Sequence, residues 1–379
     1  MKVRYTSFGV LTVFLVLVMN SPLPAVNVRD IESVRSKGVL DNGDLQIIDD
    51  FVDQAVQELV ETRDFTSIAK TRTAILARKN SSQDSAQAQY AEQFSESANR
   101  YISGALKKAS ELEDEEHKVK VILNLLILVD NLHDRRLAEP ALAMTDNENT
   151  VIRYWAVHCV TNPEMTKQLD LGEVADLELA VRIAEKLHGL LEQACPEITV
   201  LAAGFAAETR IQQAQDLLLK IADIRIDKYA DWTVDYEFLD TAVLKLLYDR
   251  ITLVPTSKSV IGRRFALLYS YAMQRYIKDI NGPNCLSAAQ RHQSASVLVE
   301  IERTCIGSLL GMPQLVIKRA VEQNDVMALL LEHGRLFGDE TRAGRLAQKL
   351  GFDYGTGPDD TKRTAPPTLP QPPSNKVGT

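Results

Sequence analysis

The stretch DLQIIDDFVDQAVQELVE, Asp44–Glu61, decides the fold class. Its apolar positions are Leu45, Ile48, Val52, Ala55, Val56, Leu59 and Val60, the i, i+3, i+4, i+7 recurrence that places side chains on one face of an α-helix. Asp44 or Asn42 is suited to cap its start, because a short oxygen-bearing side chain can accept from the first free N–H groups. The same period recurs almost everywhere downstream. It predicts helices over Thr66–Arg78, Asp84–Leu112, His117–Asn131, Asp176–Ala194, Glu208–Asp223, Asp235–Ile251, Arg263–Ile280, Ser287–Leu310, Leu315–Gln323 and Asp325–Phe337. Breaks fall at Asn162-Pro163, Cys195-Pro196, Val254-Pro255, Gly282-Pro283 and Gly311-Met312-Pro313. No segment carries the period of two with hairpin turn residues that a strand pair needs. The expected class is all-α, with antiparallel helices joined by short loops.

The helices differ in how much apolar surface they offer. Asp84–Leu112 has sparse anchors at Tyr90, Phe94, Tyr101 and Leu106 and reads as exposed along one side, whereas VKVILNLLILV within His117–Asn131 is too apolar for a surface helix and belongs in a core. Glu111–Glu116 is a solvated acidic turn that favours a helix start.

Two ends of the chain depart from this pattern. Lys2 and Arg4 precede the apolar run Phe8–Met19, and Asn20–Ala25 then breaks the helix and offers a small residue for cleavage. That order is the one a secretory signal peptide requires, and the run is shorter than the roughly 18–20 residues of a membrane span. Residues 1–25 are therefore expected to direct export, to a periplasmic or secreted location, with no integral span after cleavage; the alternative is an uncleaved N-terminal anchor. At the other end, residues 355–379, with TAPPTLPQPP at their heart, lack the apolar residues of a core and read as a disordered, Pro-rich tail. Its PxxP-like content would suit an SH3-type groove, but a solvated tail is the plainer reading. The resulting organisation is a signal peptide at 1–25, a helical region at 26–115, a helical-repeat region at 116–354 and the tail at 355–379.

Composition narrows the partners. Losing residues 1–25 removes Lys2 and Arg4 and no acid, so 41 of the 43 basic residues face 51 acidic ones and the net charge moves from −8 to −10. An acidic surface disfavours nucleic acid, whose binding rests on basic side chains that release counterions, and disfavours an anionic membrane for the same reason. The four cysteines, Cys159, Cys195, Cys285 and Cys305, follow no CxxC spacing. Cys159 and Cys305 sit on apolar faces as small core residues, while Cys195 and Cys285 lie at helix ends and are the candidates for any bridge. A Cys285–Cys305 bridge is opposed by most of a helix lying between them.

The segment LAEPALAMTDNENTVIRYWAVHCV, Leu137–Val160, stands apart. A short helix with Pro140 in its first turn leads into the polar loop Asp146–Asn149, and a second helix begins near Val151. This pattern resembles the HEAT and armadillo-like class of helical repeats, in Pro140, in Asp146 opening the loop, and in Ile152-Arg153 with Ala156 and Val160 on the second helix. The spacing from Asp146 to the Ile-Arg pair is one residue longer than that class has. The resemblance covers about 25 residues and implies an irregular α-solenoid of stacked hairpins with a concave face that binds proteins. It further implies Ile152, Ala156 and Val160 buried, Asp146 capping the loop and Arg153 reaching a neighbouring unit. The alternative is an irregular helical bundle containing one such hairpin.

Chemistry-bearing motifs are absent from the sequence: there is no HExxH, GxSxG, Walker A or GxGxxG, and no His/Cys cluster at metal spacing. No cofactor is expected. His133, flanked by Asp130 and Asp134, is the only histidine set between carboxylates, although a polar helix end explains it as well. Aromatic and basic residues supply the candidate interface. Trp232, Tyr236 and Phe238 cluster near a helix start, and Arg263-Arg264 with the tyrosines of Arg263–Ile280 form a candidate partner-binding edge, since interfaces enrich Trp, Tyr and Arg. Phe265, Leu268, Ala272 and Tyr276 make one core stripe; Tyr271 and Arg275 lie off it and are the residues of that helix left to meet a partner. Arg263, Arg264, Tyr271, Arg275 and Trp232 are accordingly the candidate partner contacts. Three functions fit: an exported scaffold or protein-binding module without catalysis, a cell-envelope hydrolase or lyase with a site assembled from distant helices, and a structural subunit of an envelope assembly tethered by its tail.

Overall fold

A computed structural model describes residues 28–282, 285–356 and 361–372. The signal-peptide reading of residues 1–25 lies outside the described residues. Among those residues the chain is helical throughout, with no strand and only two isolated bridges, Gly338–Ala343 and Thr356–Lys362. In chain order the helices are α1 Val28–Arg35, α2 Asn42–Glu61, α3 Phe65–Leu76, α4 Gln87–Ser110, α5 Glu115–Leu132, α6 Ala138–Ala143, α7 Thr150–Val160, α8 Pro163–Asp170, α9 Val174–Leu190 and α10 Pro196–Glu208. There follow α11 Gln212–Ala230, α12 Phe238–Leu253, α13 Lys258–Ile280, α14 Ala288–Ile301, α15 Gly307–Leu310, α16 Val316–Gln323, α17 Val326–Phe337 and α18 Arg345–Leu350. Among the described residues no helix is long and apolar enough to cross a membrane.

The opening segment forms α2 as its periodicity demands. Ile48, Val52, Ala55, Val56 and Leu59 are buried, and Phe51 joins them. The cap is Asp41, one residue before Asn42 and three before Asp44. Its carboxylate accepts from Gly43 N at 2.8 Å and Asp44 N at 3.0 Å, while the Asp44 carboxylate reaches back to Asp41 N at 3.1 Å. This reciprocal box satisfies the donors that a helix start otherwise leaves free. Against α2 lies α4, joined to it through buried Asp49, whose carboxylate accepts from Ser97 Oγ at 2.5 Å and Tyr101 Oη at 2.7 Å and pairs with Arg100.

From α2 to α14 each helix packs chiefly on helices one to three places away in chain order. Contacts run α5–α7, α7–α10, α8–α10, α10–α12 and α12–α14 along one series, and α9–α11 and α11–α13 along another, with α10–α11 and α12–α13 joining the two. Near the C-terminus the order changes, because α17 and α18 fold back onto α13. Four short or uniformly apolar helices, α1, α8, α10 and α18, lie outside the predicted set. In α10, ITVLAAGFAA is apolar all round, so no stripe marks it; Ile198, Ala202, Ala203, Phe205 and Ala206 are buried between α7, α8, α11 and α12. Short α8 opens on Pro163, with Asn162 accepting from Glu164 N at 3.0 Å.

The hairpin α6–α7 corrects two details. Ile152, Ala156 and Val160 are buried. However, Asn149 caps α7, accepting from Val151 N at 3.0 Å and Ile152 N at 3.3 Å, while Asp146 pairs with Lys186 of α9. Arg153 folds back to the Asn147 carbonyl at 3.5 Å instead of reaching another unit. The extra loop residue moves Asn149, not Asp146, to the capping position. All four cysteines are free, and Cys195 and Cys285 are each half-buried and unbridged. Cys159 is in the core with its Sγ 3.1 Å from the Leu126 carbonyl, and burial pushes the Cys305 thiol up to about 11.

Between α14 and α15 the helix widens into a π turn at Glu302–Ile306. Glu302, 1% exposed, uses that turn to cap a remote helix: its carboxylate accepts from Ile317 N at 2.7 Å and Lys318 N at 2.8 Å, at the start of α16. Burial raises its pKa, and those N–H donors oppose the rise. Glu302→Ala orphans both donors and is expected to cost about 2 kcal/mol in urea unfolding, with Glu302→Gln, which keeps one acceptor, costing roughly half as much. Equal stability of the alanine variant and the parent would show that the cap contributes nothing.

Candidate functional site

Helix α13 is the centre of the C-terminal half, with α11, α12, α14, α17 and α18 packed around it. The expected stripe of Phe265, Leu268, Ala272 and Tyr276 is buried, but so are Tyr269, Tyr271, Met273, Arg275 and Ile277. This overturns the expectation that Tyr271 and Arg275 face a partner: they are 7% and 2% exposed. A helix covered on every side has no outward face, so lying off the stripe says nothing about exposure.

What covers that side begins with the loop between α11 and α12. Trp232 and Tyr236 both hold left-handed backbone conformations, with φ of 57° and 51°. Such conformations are strained for bulky L residues and persist only where the surroundings over-determine them. The surroundings here are a buried charge network. Arg225 grips Asp240 through Nε to Oδ1 at 2.7 Å and Nη2 to Oδ2 at 3.1 Å, and Nη2 also donates to the Asp235 carbonyl at 3.0 Å. Tyr229 Oη donates to Asp240 Oδ2 at 2.7 Å. Arg275 Nη1 donates to Glu237 Oε1 at 2.8 Å, and its Nη2 reaches the Val234 carbonyl at 3.4 Å. Burial alone would lower the Arg225 pKa, but the charge and hydrogen bonds of Asp240 outweigh it and raise it. Two buried arginines thus tie the loop carbonyls to α11 and α13.

The loop presents Trp232 to the C-terminal segment. The expectation of a disordered tail at 355–379 is not met over residues 361–372, which lie extended across α13. Gln274 of α13 reads their main chain from both sides: its Nε2 donates to the Pro367 carbonyl at 3.1 Å and its Oε1 accepts from Leu369 N at 2.7 Å. Trp232 Nε1 donates to the Pro370 carbonyl at 3.1 Å. Leu369 is 2% exposed and Pro366 is buried, while Thr368 and Pro370 are exposed. The segment is aimed by a turn after α17 in which Gly338 has φ 104°; a Cβ there would stand 2.4 Å from the Thr364 carbonyl oxygen. Thr364 Oγ1 donates to the Asp339 carbonyl at 2.6 Å, and Arg363 N to the Gly355 carbonyl at 2.8 Å. Residues 373–379 lie outside the described residues.

Beneath the segment, His333 of α17 meets Ser270 of α13 at 2.8 Å, Nε2 to Oγ. Ser270 Oγ also accepts from Gln274 Nε2 at 3.0 Å, and the direction of its bond to His333 is set by the imidazole tautomer. Burial pushes the His333 pKa down to about 4. His333 and Gln274 line a cavity of about 880 Å³ roofed by Pro366, Pro367 and Thr368.

The other candidate residues are placed as follows. Arg263 lies against the chain at Gly355, where a Cβ would come within 2.9 Å of its Nη2. Arg264 is half-buried and bonds both carboxylate oxygens of Asp223 on α11, at 3.2 and 3.3 Å. His133 is the left-handed end of α5, φ 55°, and its carbonyl accepts from Gln168 Nε2 at 2.6 Å. Its flanking acids turn elsewhere: Asp134 accepts from Arg136 N at 3.0 Å, and Asp130 takes His158 Nδ1 at 3.0 Å and Asn162 Nδ2 at 2.8 Å. Burial would lift Asp130, but those bonds and the charge of His158 prevail and lower it; the Asp130 hydrogen bond in turn raises His158. This pair, 28 residues apart, has no local signature. Among the described residues no group of His, Cys, Asp and Glu is arranged to hold a metal.

A second concavity, also about 880 Å³, opens between α12, α14 and α16. Phe238, Ala242, Ala295, Ser296, Val299 and Val321 line it, and Lys245 pairs with Glu300 at 2.6 Å on its wall. Thr241, His292 and Glu322 complete the lining of this open trough, and Phe238 is half exposed to solvent. Comparison with models of known families, with curated proteins and with solved structures gives no match for this chain.

Proposed function

We propose that the chain is a protein-binding scaffold of the exported compartment, a helical-repeat array without catalytic activity of its own. The observation that carries the proposal is the trough between α12, α14 and α16: open, more apolar than polar in its lining surface, and including Thr241, Ala242, Ala295 and Ser296, side chains small enough for another backbone to approach closely. Its charged pair, Lys245–Glu300, is already satisfied. A trough of this kind suits the apolar face of an amphipathic helix from a partner protein. The irregular solenoid reading is supported by the neighbour-to-neighbour order of packing from α2 to α14, since stacked hairpins touch only adjacent units. Export rests on the composition of residues 1–25.

A hydrolase reading has one observation in its favour, the Ser270–His333 contact. It is the weaker reading, because Ser270 is fully buried, already accepts from Gln274, and lies under the C-terminal segment.

The test is site-specific photo-crosslinking in the source cells. A photoreactive residue at Ala242 or Ser296 is expected to give a discrete adduct in the exported fraction, and one at Val39, 85% exposed and remote from the trough in sequence, to give none. Phe238→Asp is expected to abolish the adduct. Absence of adducts from both trough positions would overturn the proposal.

A further inference from the structure

The C-terminal segment is held in the manner of a bound peptide. Its sequence from Thr361 is TKRTAPPTLPQP, in which Leu369 is the only large apolar residue. Prolines at 366, 367, 370 and 372 keep it extended without internal hydrogen bonds, as in a polyproline II helix of three residues per turn. Burial follows that period: Pro366 and Leu369 are buried, Pro372 is half-buried, and Thr368 and Pro370 between them are exposed. The body supplies what a receptor for such a peptide supplies. Gln274 satisfies one carbonyl and one N–H two residues apart, at Pro367 and Leu369, and Trp232 satisfies the Pro370 carbonyl. These are main-chain contacts, indifferent to whose main chain it is. Specificity comes from the Leu369 pocket, the site that buries this residue to 2% exposure, and from the prolines that set its spacing.

The receptor side is also built in advance. Trp232 stands on a loop with two left-handed aromatic residues, held by Arg225–Asp240 and Arg275–Glu237. None of those charged groups hydrogen-bonds the segment itself; they fix the indole that does. Strain kept at a loop whose indole contacts the segment, and made up by a buried network behind it, is preorganisation for binding.

We propose that the groove formed by Gln274, Trp232 and the Leu369 pocket is a recognition site for extended peptides of the pattern Pro-x-x-Leu-Pro carried by another protein, and that residues 364–372 occupy it as an intramolecular competitor. The tether gives the internal segment a high effective concentration, so an outside peptide gains access only when it is locally concentrated or when the segment is weakened. This site is separate from the trough of α12, α14 and α16, and it stands or falls independently of the scaffold proposal.

The experiment uses the full chain and a fluorescein-labelled synthetic peptide spanning Thr364–Pro372, followed by anisotropy. Leu369→Asp in the chain is expected to vacate the groove and bind the peptide at least ten-fold more tightly than the parent chain. Gln274→Ala added to that variant is expected to remove most of the gain, and a peptide carrying Leu369→Asp is expected not to bind. Hydrogen exchange on the parent chain gives a second readout: protection of its own Leu369 amide is expected to fall as unlabelled peptide is added. A folded Leu369→Asp chain that fails to bind the peptide would overturn the proposal. So would loss of helical circular dichroism in that variant, because the body would then need the segment in order to fold and could not stand with its groove vacant. Crosslinking from the trough reads the scaffold function separately in either case.

Discussion

Asp240→Ala is expected to destabilise the fold by about 3–5 kcal/mol in urea unfolding, the cost of leaving a buried charge without its partner. Asp240 has no exposure, and it accepts from Arg225 through two nitrogens and from the Tyr229 hydroxyl. Removing the carboxylate leaves a guanidinium 2% exposed with only the Asp235 carbonyl and, at 3.6 Å, the Asp235 carboxylate, and leaves a phenol 1% exposed without its acceptor. Burial, the largest cause of the raised Tyr229 pKa, persists when Asp240 is removed and opposes ionisation of the phenol. Because a domain's net stability is only about 5–15 kcal/mol, this one change consumes a large part of it. The double variant Arg225→Met, Asp240→Leu removes both charges and keeps apolar volume, and it is expected to recover most of the loss. A single alanine variant as stable as the parent would show that water reaches this network and that the loop carrying Trp232 is held by something else.

The legibility of this fold in its sequence tracks how evenly each helix is covered. α2 has one wet face, and its stripe is legible at Ile48, Val52, Ala55, Val56 and Leu59, whereas Leu45 and Val60 are only partly buried, Phe51 joins from the stripe's edge and the cap is Asp41. α10 and α13 are covered from several directions, so apolar or aromatic residues fall at every angle and periodicity loses its meaning. Arg275 shows the consequence plainly: its charge suggests a surface residue, but Glu237 lies 38 positions away and no local pattern announces the pair. The C-terminal segment was misread for a related reason. TAPPTLPQPP has too little apolar surface to make a core of its own, but Leu369 and Pro366 need only fill a core made by others. Of the candidate contacts, Trp232 meets this segment, Arg263 lies at Gly355 ahead of it, Tyr271 and Arg275 are buried, and Arg264 serves α11.

Acid is expected to weaken the C-terminal half through His333. Its folded pKa is about 4, depressed by burial, against an ordinary value of about 6.5 in the unfolded chain. Between those values the unfolded state binds the proton and the native state does not, so stability falls as pH falls, by about 1.4 kcal/mol per unit at the steepest. The total is on the order of 3 kcal/mol near pH 4. His158 acts with the opposite sign, because Asp130 raises its pKa: its contribution is fully present below the unfolded value and is lost as pH rises through the folded one. The two effects therefore occupy different windows, His333 acting below about 6.5 and His158 above it. Urea midpoints collected from about pH 4.5 to 8 on the parent, His333→Gln and His158→Gln separate them. His333→Gln offers Ser270 a neutral acceptor and is expected to flatten the acid limb while leaving the alkaline limb unchanged, and His158→Gln to do the reverse. An acid limb as steep in His333→Gln as in the parent would place the sensitivity in the carboxylates, such as Asp130 and Asp44, whose depressed pKa values also make them lose stabilising charge as pH falls through them.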